Sequence, residues 1–105
     1  MSRPGQLDSL DALIARADRA FDVMSQASEG LSAVRVRRRS EDGLVTVTVD
    51  AGGAMVALDL AEDLSETSAA QLSSAIVTTA SRAADEATDR RTSILEQMQS
   101  SLSDT

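Results

Sequence analysis

The side chains best suited to binding chemistry form a short run of arginines near the middle of the chain. Residues 31–40 hold these arginines and no acid, whereas residues 41–64 hold six acids and no base. The arginines are Arg35, Arg37, Arg38 and Arg39. On a strand, Arg35, Arg37 and Arg39 would share one face, spaced by about 7 Å. Guanidinium groups present a fixed fork of donors that matches phosphate oxygens, so this row suggests phosphate contacts.

The same arginines have a second interpretation. On an edge strand they would pair with the acids of residues 41–64 across the sheet and would block edge-to-edge aggregation. The residues alone leave both interpretations open. Arg82, Arg90 and Arg91 lie among acids near the end of the chain and are interpreted as ordinary surface charges.

Catalytic chemistry has little support in this sequence. The chain has no His, Cys or Tyr, and none of its acids stands in a recognisable acid/base arrangement. We therefore predict no enzyme, no cofactor and no small-molecule substrate. The acids Asp59, Glu62 and Asp63 suggest a solvated loop rather than a metal site, because a metal needs ligands that converge.

Length and charge restrict the function classes further. At 105 residues the chain is expected to form one domain over residues 1–105, with residues 1–5 and 100–105 frayed. The net charge of −7 argues against a general electrostatic attraction to nucleic acid. No apolar run is long enough to span a membrane, and the absence of cysteine fits a cytoplasmic protein.

Three strands are predicted between residues 32 and 60. Val45, Val47 and Val49 alternate with threonines, and Val56, Leu58 and Leu60 resume the alternation after a glycine turn at residues 51–54. Alternating valines and arginines predict another strand within residues 32–40. Together these segments predict a three-stranded antiparallel meander.

Two long helices flank the predicted strands. The first runs from Gln6 to Glu29 with Gly30 as its C-cap, and its apolar residues recur at alternating spacings of three and four, from Leu7 to Leu31. The second covers residues 66–105, with Ser65 or Thr67 as its N-cap and a break allowed at residues 85–92.

These elements predict an α+β fold of order α-β-β-β-α. The two apolar helix faces are longer than a three-stranded sheet can cover, so we expect a two-fold homodimer. The face of the first helix could pair with a second copy or pack on the second helix, and we favour a mixture, intramolecular near the sheet and intermolecular beyond it. The expected core and dimer residues are Leu10, Ile14, Phe21, Met24, Val45, Val47, Val49, Val56, Leu58, Leu60, Leu72 and Ile76.

This layout resembles the YbaB/EbfC family of nucleoid-associated proteins over about residues 6 to 98. The resemblance rests on a hairpin flanked by glycines, on the acidic link at residues 61–64 and on an alanine-rich helix after the sheet. Its matching residues are Gly43, Leu44, Val45, Val47, Val49, Gly53, Val56, Leu58, Leu60, Leu72, Ile76, Ala80 and Ala84.

The resemblance implies an intertwined homodimer whose helices project like the arms of tweezers. It also implies a non-enzymatic DNA-binding protein of the cytoplasmic nucleoid, here an acidic member of actinobacterial type. DNA would be held weakly and with little sequence preference through phosphate contacts of the four arginines, in gene regulation or DNA compaction. The alternative is a dimeric protein-interaction module, for example accessory to a type VII secretion locus, with little DNA binding.

Overall fold

The order of elements in the structure is the predicted one. The computed structural model describes the backbone of residues 4–104 and the side chains of residues 9–104. The elements are α1 (Pro4–Ala33), β1 (Val36–Arg39), β2 (Val45–Val49), β3 (Met55–Leu60) and α2 (Ala69–Ser103). The strands form one antiparallel sheet in the order β1-β2-β3, which confirms the α+β class and the meander.

The end of α1 differs from the prediction. Gly30 does not cap the helix, since a C-cap glycine has positive φ and only Gly43 and Gly53 have it among the described residues. Gly30 instead faces α2, where a Cβ atom would meet the methyl groups of Ile94 at 3.7 and 3.8 Å. α1 therefore continues to Ala33, and β1 is shorter than the predicted strand.

The start of α2 also differs. Neither predicted cap is used, because Ser65 donates its hydroxyl to Asp63 Oδ1 (2.6 Å) and Thr67 lies in a turn. Ser68 is the N-cap. The Gln71 N–H donates to Ser68 Oγ (3.0 Å), while the Ser68 N–H donates to Gln71 Oε1 (3.0 Å). This reciprocal pair is a capping box.

α2 then runs without interruption to Ser103, so the break that was allowed at residues 85–92 is absent. Its last turn lies within the segment that was expected to fray. Residues 1–3 and 105, the outermost parts of the segments expected to fray, lie outside the described residues.

The buried core is small and lies between α2 and two of the three strands. Val36, Val45, Val47 and Val49 are fully buried. On α2 they meet the small side chains of Ala75, Thr79, Ala83 and Ala87, which let the helix approach the sheet closely. Every residue of β3 is exposed, so the sheet is covered over β1 and β2 but not over β3.

The molecule is far longer than a compact chain of this size. Its radius of gyration is 22.5 Å and its extents are 84 × 18 × 14 Å. A compact 105-residue domain would have a radius of gyration of roughly 13 Å. The length arises because α1 and α2 run antiparallel and meet near their C-terminal ends, where residues 23–30 lie beside residues 94–101. Residues 9–19 of α1 are all exposed.

The capping box gives a stability prediction. Ser68→Ala should lower the free energy of unfolding by about 1 kcal/mol, because the Gln71 N–H loses its acceptor. The matched control is Ser73→Ala on the exposed side of α2, which should change stability by less than about 0.5 kcal/mol. Urea denaturation at one fixed protein concentration measures both, and equal losses in the two variants would contradict this assignment of the cap.

Candidate nucleic-acid interface

Two of the four arginines lie on the face of the sheet that α2 leaves uncovered. The register pairs Arg37 with Thr48 and Arg39 with Thr46, and continues to Ala57 and Asp59 on β3. Side chains of directly paired residues share a face, so these six residues form what we call the open face. Arg37 and Arg39 project there about 7 Å apart, two residues along the strand.

The other two arginines are placed differently. Arg38 pairs with the buried Val47, which puts it on the α2 side of the sheet at the exposed edge. Arg35 lies before β1, and its Nη1 donates to the carbonyl oxygens of Val34 (2.7 Å) and Ser32 (3.3 Å). Carbonyls at a helix end lack helical donors, so Arg35 helps to cap α1. The predicted row of three arginines on one strand was wrong, because β1 begins at Val36.

Arg39 is held by the turn that follows β1. Gly43 has a φ of 74°, and a Cβ atom there would lie 3.0 Å from Arg39 Nη2 and 3.5 Å from Arg39 Cζ. The guanidinium group therefore lies against the backbone of Gly43. Asp42 Oδ1 fixes this turn by accepting from Ser40 Oγ (2.7 Å) and from the Leu44 N–H (3.1 Å).

The pairing of these arginines with nearby acids is not formed. Within residues 9–104, the side chains of Arg37, Arg38 and Arg39 make neither a hydrogen bond nor an ion pair, and the one ion pair joins Arg82 Nη1 to Glu41 Oε1 at 3.0 Å.

Two further acids near the strands, Asp50 and Asp63, are occupied in turns. Asp50 Oδ1 accepts from the N–H groups of Gly52 and Ala54 (both 3.0 Å), and Asp63 Oδ1 accepts from the Ser65 N–H (3.0 Å). Turn geometry therefore takes up acids that the sequence offered as partners for the arginines.

Two arginines of α2 tie the helix to the strand region, which the sequence did not reveal. Arg82 holds Glu41 in the β1–β2 turn, and Arg90 Nη1 donates to the Arg35 carbonyl oxygen (3.0 Å). The interpretation of both as ordinary surface charges was therefore incomplete. No local signal could show these contacts, because the partners lie far apart in the chain.

A shallow hollow of about 430 Å³ lies at one end of the open face. Arg37 and Arg39 line its β1 side, Thr46 lies in the middle, and Asp59 and Glu62 line its β3 side. We call this the open-face hollow. Arg37 and Arg39, whose side chains have no ion pair, border this hollow on the uncovered face of the sheet.

The apolar residues predicted for core or dimer fall into three classes. Val45, Val47 and Val49 are buried. Leu72 and Ile76 are half-buried and pack against the core. The others are exposed by between 40% and 66% in the single chain: Leu10, Ile14, Phe21, Met24, Val56, Leu58 and Leu60.

The apolar line of α1 does not face α2. This line, which we call the α1 stripe, consists of Leu10, Ile14, Ala17, Phe21 and Met24. Leu7 was predicted to lie on the same line, but its side chain is outside the described side chains. The residues that line the contact with α2 are Val23, Gln26, Ala27 and Gly30. At 100° per residue the centre of this contact line is roughly 150° away from the centre of the stripe. The expectation that the stripe packs on α2 near the sheet was therefore wrong.

The exposed apolar residues of β3 and of α2 share one side of the molecule. On α2, Ala84 lies 3.3 Å from a Cβ position built on Gly53 in the β2–β3 turn, so this helix face points toward β3. Val77 and Leu95, both exposed, lie within roughly 20° of Ala84 around the helix. β3 and these α2 residues therefore share one side of the molecule, while the α1 stripe is exposed on the part of α1 that faces away from α2.

Other functions find no support among the described residues. No three potential ligands of the His, Cys, Asp or Glu type come together there to hold a metal ion. Within residues 4–104, neither helix has a segment apolar enough to cross a membrane.

Comparison with known proteins identifies the family. The profile of the YbaB/EbfC DNA-binding family matches residues 6–102. The chain belongs to the YbaB/EbfC DNA-binding family. No curated protein matches the chain.

A solved structure has the same fold as this chain. The chain is similar to the crystal structure of the uncharacterized protein HP0035 from Helicobacter pylori, with 19% identity and a TM-score of 0.62. The match covers 94% of this chain and 99% of that chain. Gly43 and Gly53, which contributed to the YbaB/EbfC resemblance, are the two glycines with positive φ among the described residues.

The turn beside Arg39 gives a prediction about pH. The hydrogen bond from the Ser40 hydroxyl, followed by that from the Leu44 N–H, lowers the pKa of Asp42 below its ordinary value. A carboxylate with a lowered folded-state pKa stabilises the turn at pH values above its unfolded pKa, and this stabilisation is lost as the pH falls through the folded-state pKa. Carboxyl NMR titration should give a low midpoint for Asp42, and Ser40→Ala should raise it. An unchanged midpoint in Ser40→Ala would contradict the assigned cause.

Proposed function

We propose that the protein is a dimeric, non-enzymatic, nucleoid-associated protein of the cytoplasm that holds DNA through its phosphates. The observation that carries this proposal is a set of arginine side chains without ion pairs in a member of a DNA-binding family: Arg37 and Arg39 on the open face of the sheet, and Arg38 at its exposed edge. Their guanidinium groups are free to bind phosphates without first breaking an ion pair. Arg35 contributes less, because its donors already serve α1.

Dimerisation is supported by the apolar side of the molecule. The α1 stripe, β3 and the apolar residues Val77 and Leu95 of α2 are exposed, and nothing within residues 9–104 covers them. Exposed apolar surface of this extent is typical of an interface. A second copy is the simplest occupant, because a two-fold axis lets one such side cover another like it.

A dimer would present the arginine cluster twice. Two clusters on one rigid assembly raise the affinity for a long polyanion above that of either cluster alone. Contacts to phosphates carry no sequence information directly, so we expect binding that depends little on base sequence. The acidic remainder of the protein would keep binding weak and steeply dependent on salt.

The dimer can be tested at the α1 stripe. The wild-type protein should show twice the chain mass of 11.0 kDa by light scattering at micromolar concentration. Phe21 is 66% exposed in the single chain, and Phe21→Glu should raise the dimer dissociation constant at least about 100-fold.

Ala15→Glu is the control for added charge, since Ala15 lies roughly 140° away from the stripe on the same helix. It should leave the mass unchanged. A wild-type protein with the mass of one chain, or equal loss of the dimer in both variants, would overturn the proposed interface.

DNA binding can be tested by fluorescence anisotropy with a labelled duplex at about 50 and about 200 mM salt. Changing both Arg37 and Arg39 to Ala should weaken binding at least about tenfold. It should also reduce the salt slope by roughly 0.9 for each phosphate that the protein no longer neutralises.

The matched control changes Arg16 and Arg19 to Ala, which removes the same charge from the exposed part of α1. Its binding should stay close to that of the wild type. Absence of wild-type binding at low salt, or equal weakening in both double variants, would reject DNA binding through the open face. Binding to another protein alone would then favour an interaction module.

A further inference from the structure

The open-face hollow has walls of opposite charge. Arg37 and Arg39 lie on its β1 side, while Asp59 and Glu62 lie on its β3 side, beyond the neutral Thr46. The register runs directly from Arg39 through Thr46 to Asp59. Two strand spacings separate the charged residues, about 10 Å at the backbone.

The two walls do not neutralise one another. Within residues 9–104 no ion pair joins them, although Arg82 and Glu41 show that such pairs can form in this protein. Arg39 is drawn toward the β1–β2 turn, where its guanidinium group lies against Gly43. The carboxylates of Asp59 and Glu62 also accept no hydrogen bond within the same residues, unlike those of the turn acids Asp50 and Asp63.

We propose that Asp59 and Glu62 are determinants of nucleic-acid affinity that act by repulsion. They form an acidic border that keeps phosphates away from β3 and confines them to the β1 side of the hollow. This deepens the proposed function and rests on it. The border lies within about one Debye length of a phosphate bound at Arg39, so its charge is only partly screened by physiological salt.

Repulsion by Asp59 and Glu62 therefore makes the affinity for DNA lower than the arginines alone would give. A carboxylate about 10 Å from a phosphate should weaken binding roughly twofold in a water-like dielectric, and more where the protein excludes water. The two acids together, repeated in two subunits, should weaken binding roughly tenfold.

The test compares two double variants with equal charge changes. Asp59→Asn with Glu62→Gln removes the border, and Asp85→Asn with Glu96→Gln removes the same charge from exposed positions of α2. Anisotropy with the labelled duplex at low salt should show roughly tenfold tighter binding for the border variant and less than about twofold for the α2 variant. Equal gains in both would overturn the proposal, because net charge alone would then explain the effect.

Two further measurements sharpen the test. The first separates the effect of the Asp59 charge from the effect of its side-chain shape, and the second separates this proposal from the proposed function on which it rests. Asp59→Glu keeps the charge and should bind DNA as the wild type does, and tighter binding by Asp59→Glu would overturn the role of the charge. If the wild type fails to bind DNA, the proposed function fails, yet binding gained by the border variant and not by the α2 variant still supports the border. No gain in either variant overturns it.

Discussion

The packing of α2 across β1 and β2, but not β3, determines the organisation of this protein. Four valines of the first two strands meet alanines and a threonine on α2, and this contact forms the core. Alanine brings the helix axis close to the sheet, so a single helix cannot also reach the third strand. β3 therefore carries three large aliphatic side chains, Val56, Leu58 and Leu60, into solvent in the single chain. The same helix continues beyond the sheet and supplies the surface on which α1 packs.

The distribution of charge follows from how the turns are built. Tight turns need acceptors for their exposed N–H groups, and in this chain aspartates provide them at residues 42, 50 and 63. Asp42 follows the arginines closely in sequence, yet none of these three aspartates forms an ion pair with an arginine within the described residues. A strongly acidic chain thus keeps a small basic surface, because its acids are held in other roles.

Local sequence patterns predicted much of the fold. The features that they did not predict depend on contacts between residues far apart in the chain. The period-2 valines and the glycine turn gave the hairpin, since neighbouring residues alone produce these signals. The spacing Ser68-x-x-Gln71 was also a visible signal for the start of α2, although nearer hydroxyl residues competed with it. Gly30 was misread because the reason it lies within a helix, its contact with Ile94, comes from the other end of the chain.

At the candidate site, too, local patterns predicted some features, and long-range contacts determined the others. The arginine run was evident from composition, and its position beside a strand followed from the alternation of valine and arginine. Its lack of ion pairs was not predictable, because it depends on which acids the turns and α2 take up. The phase of the α1 stripe was equally hidden: periodicity shows that an apolar line exists, but not which neighbour it faces. The 84 Å length of the molecule has a practical consequence for anyone who purifies it. A rod tumbles and diffuses more slowly than a sphere of equal mass, so gel filtration calibrated with globular standards will overstate its size and suggest too many subunits.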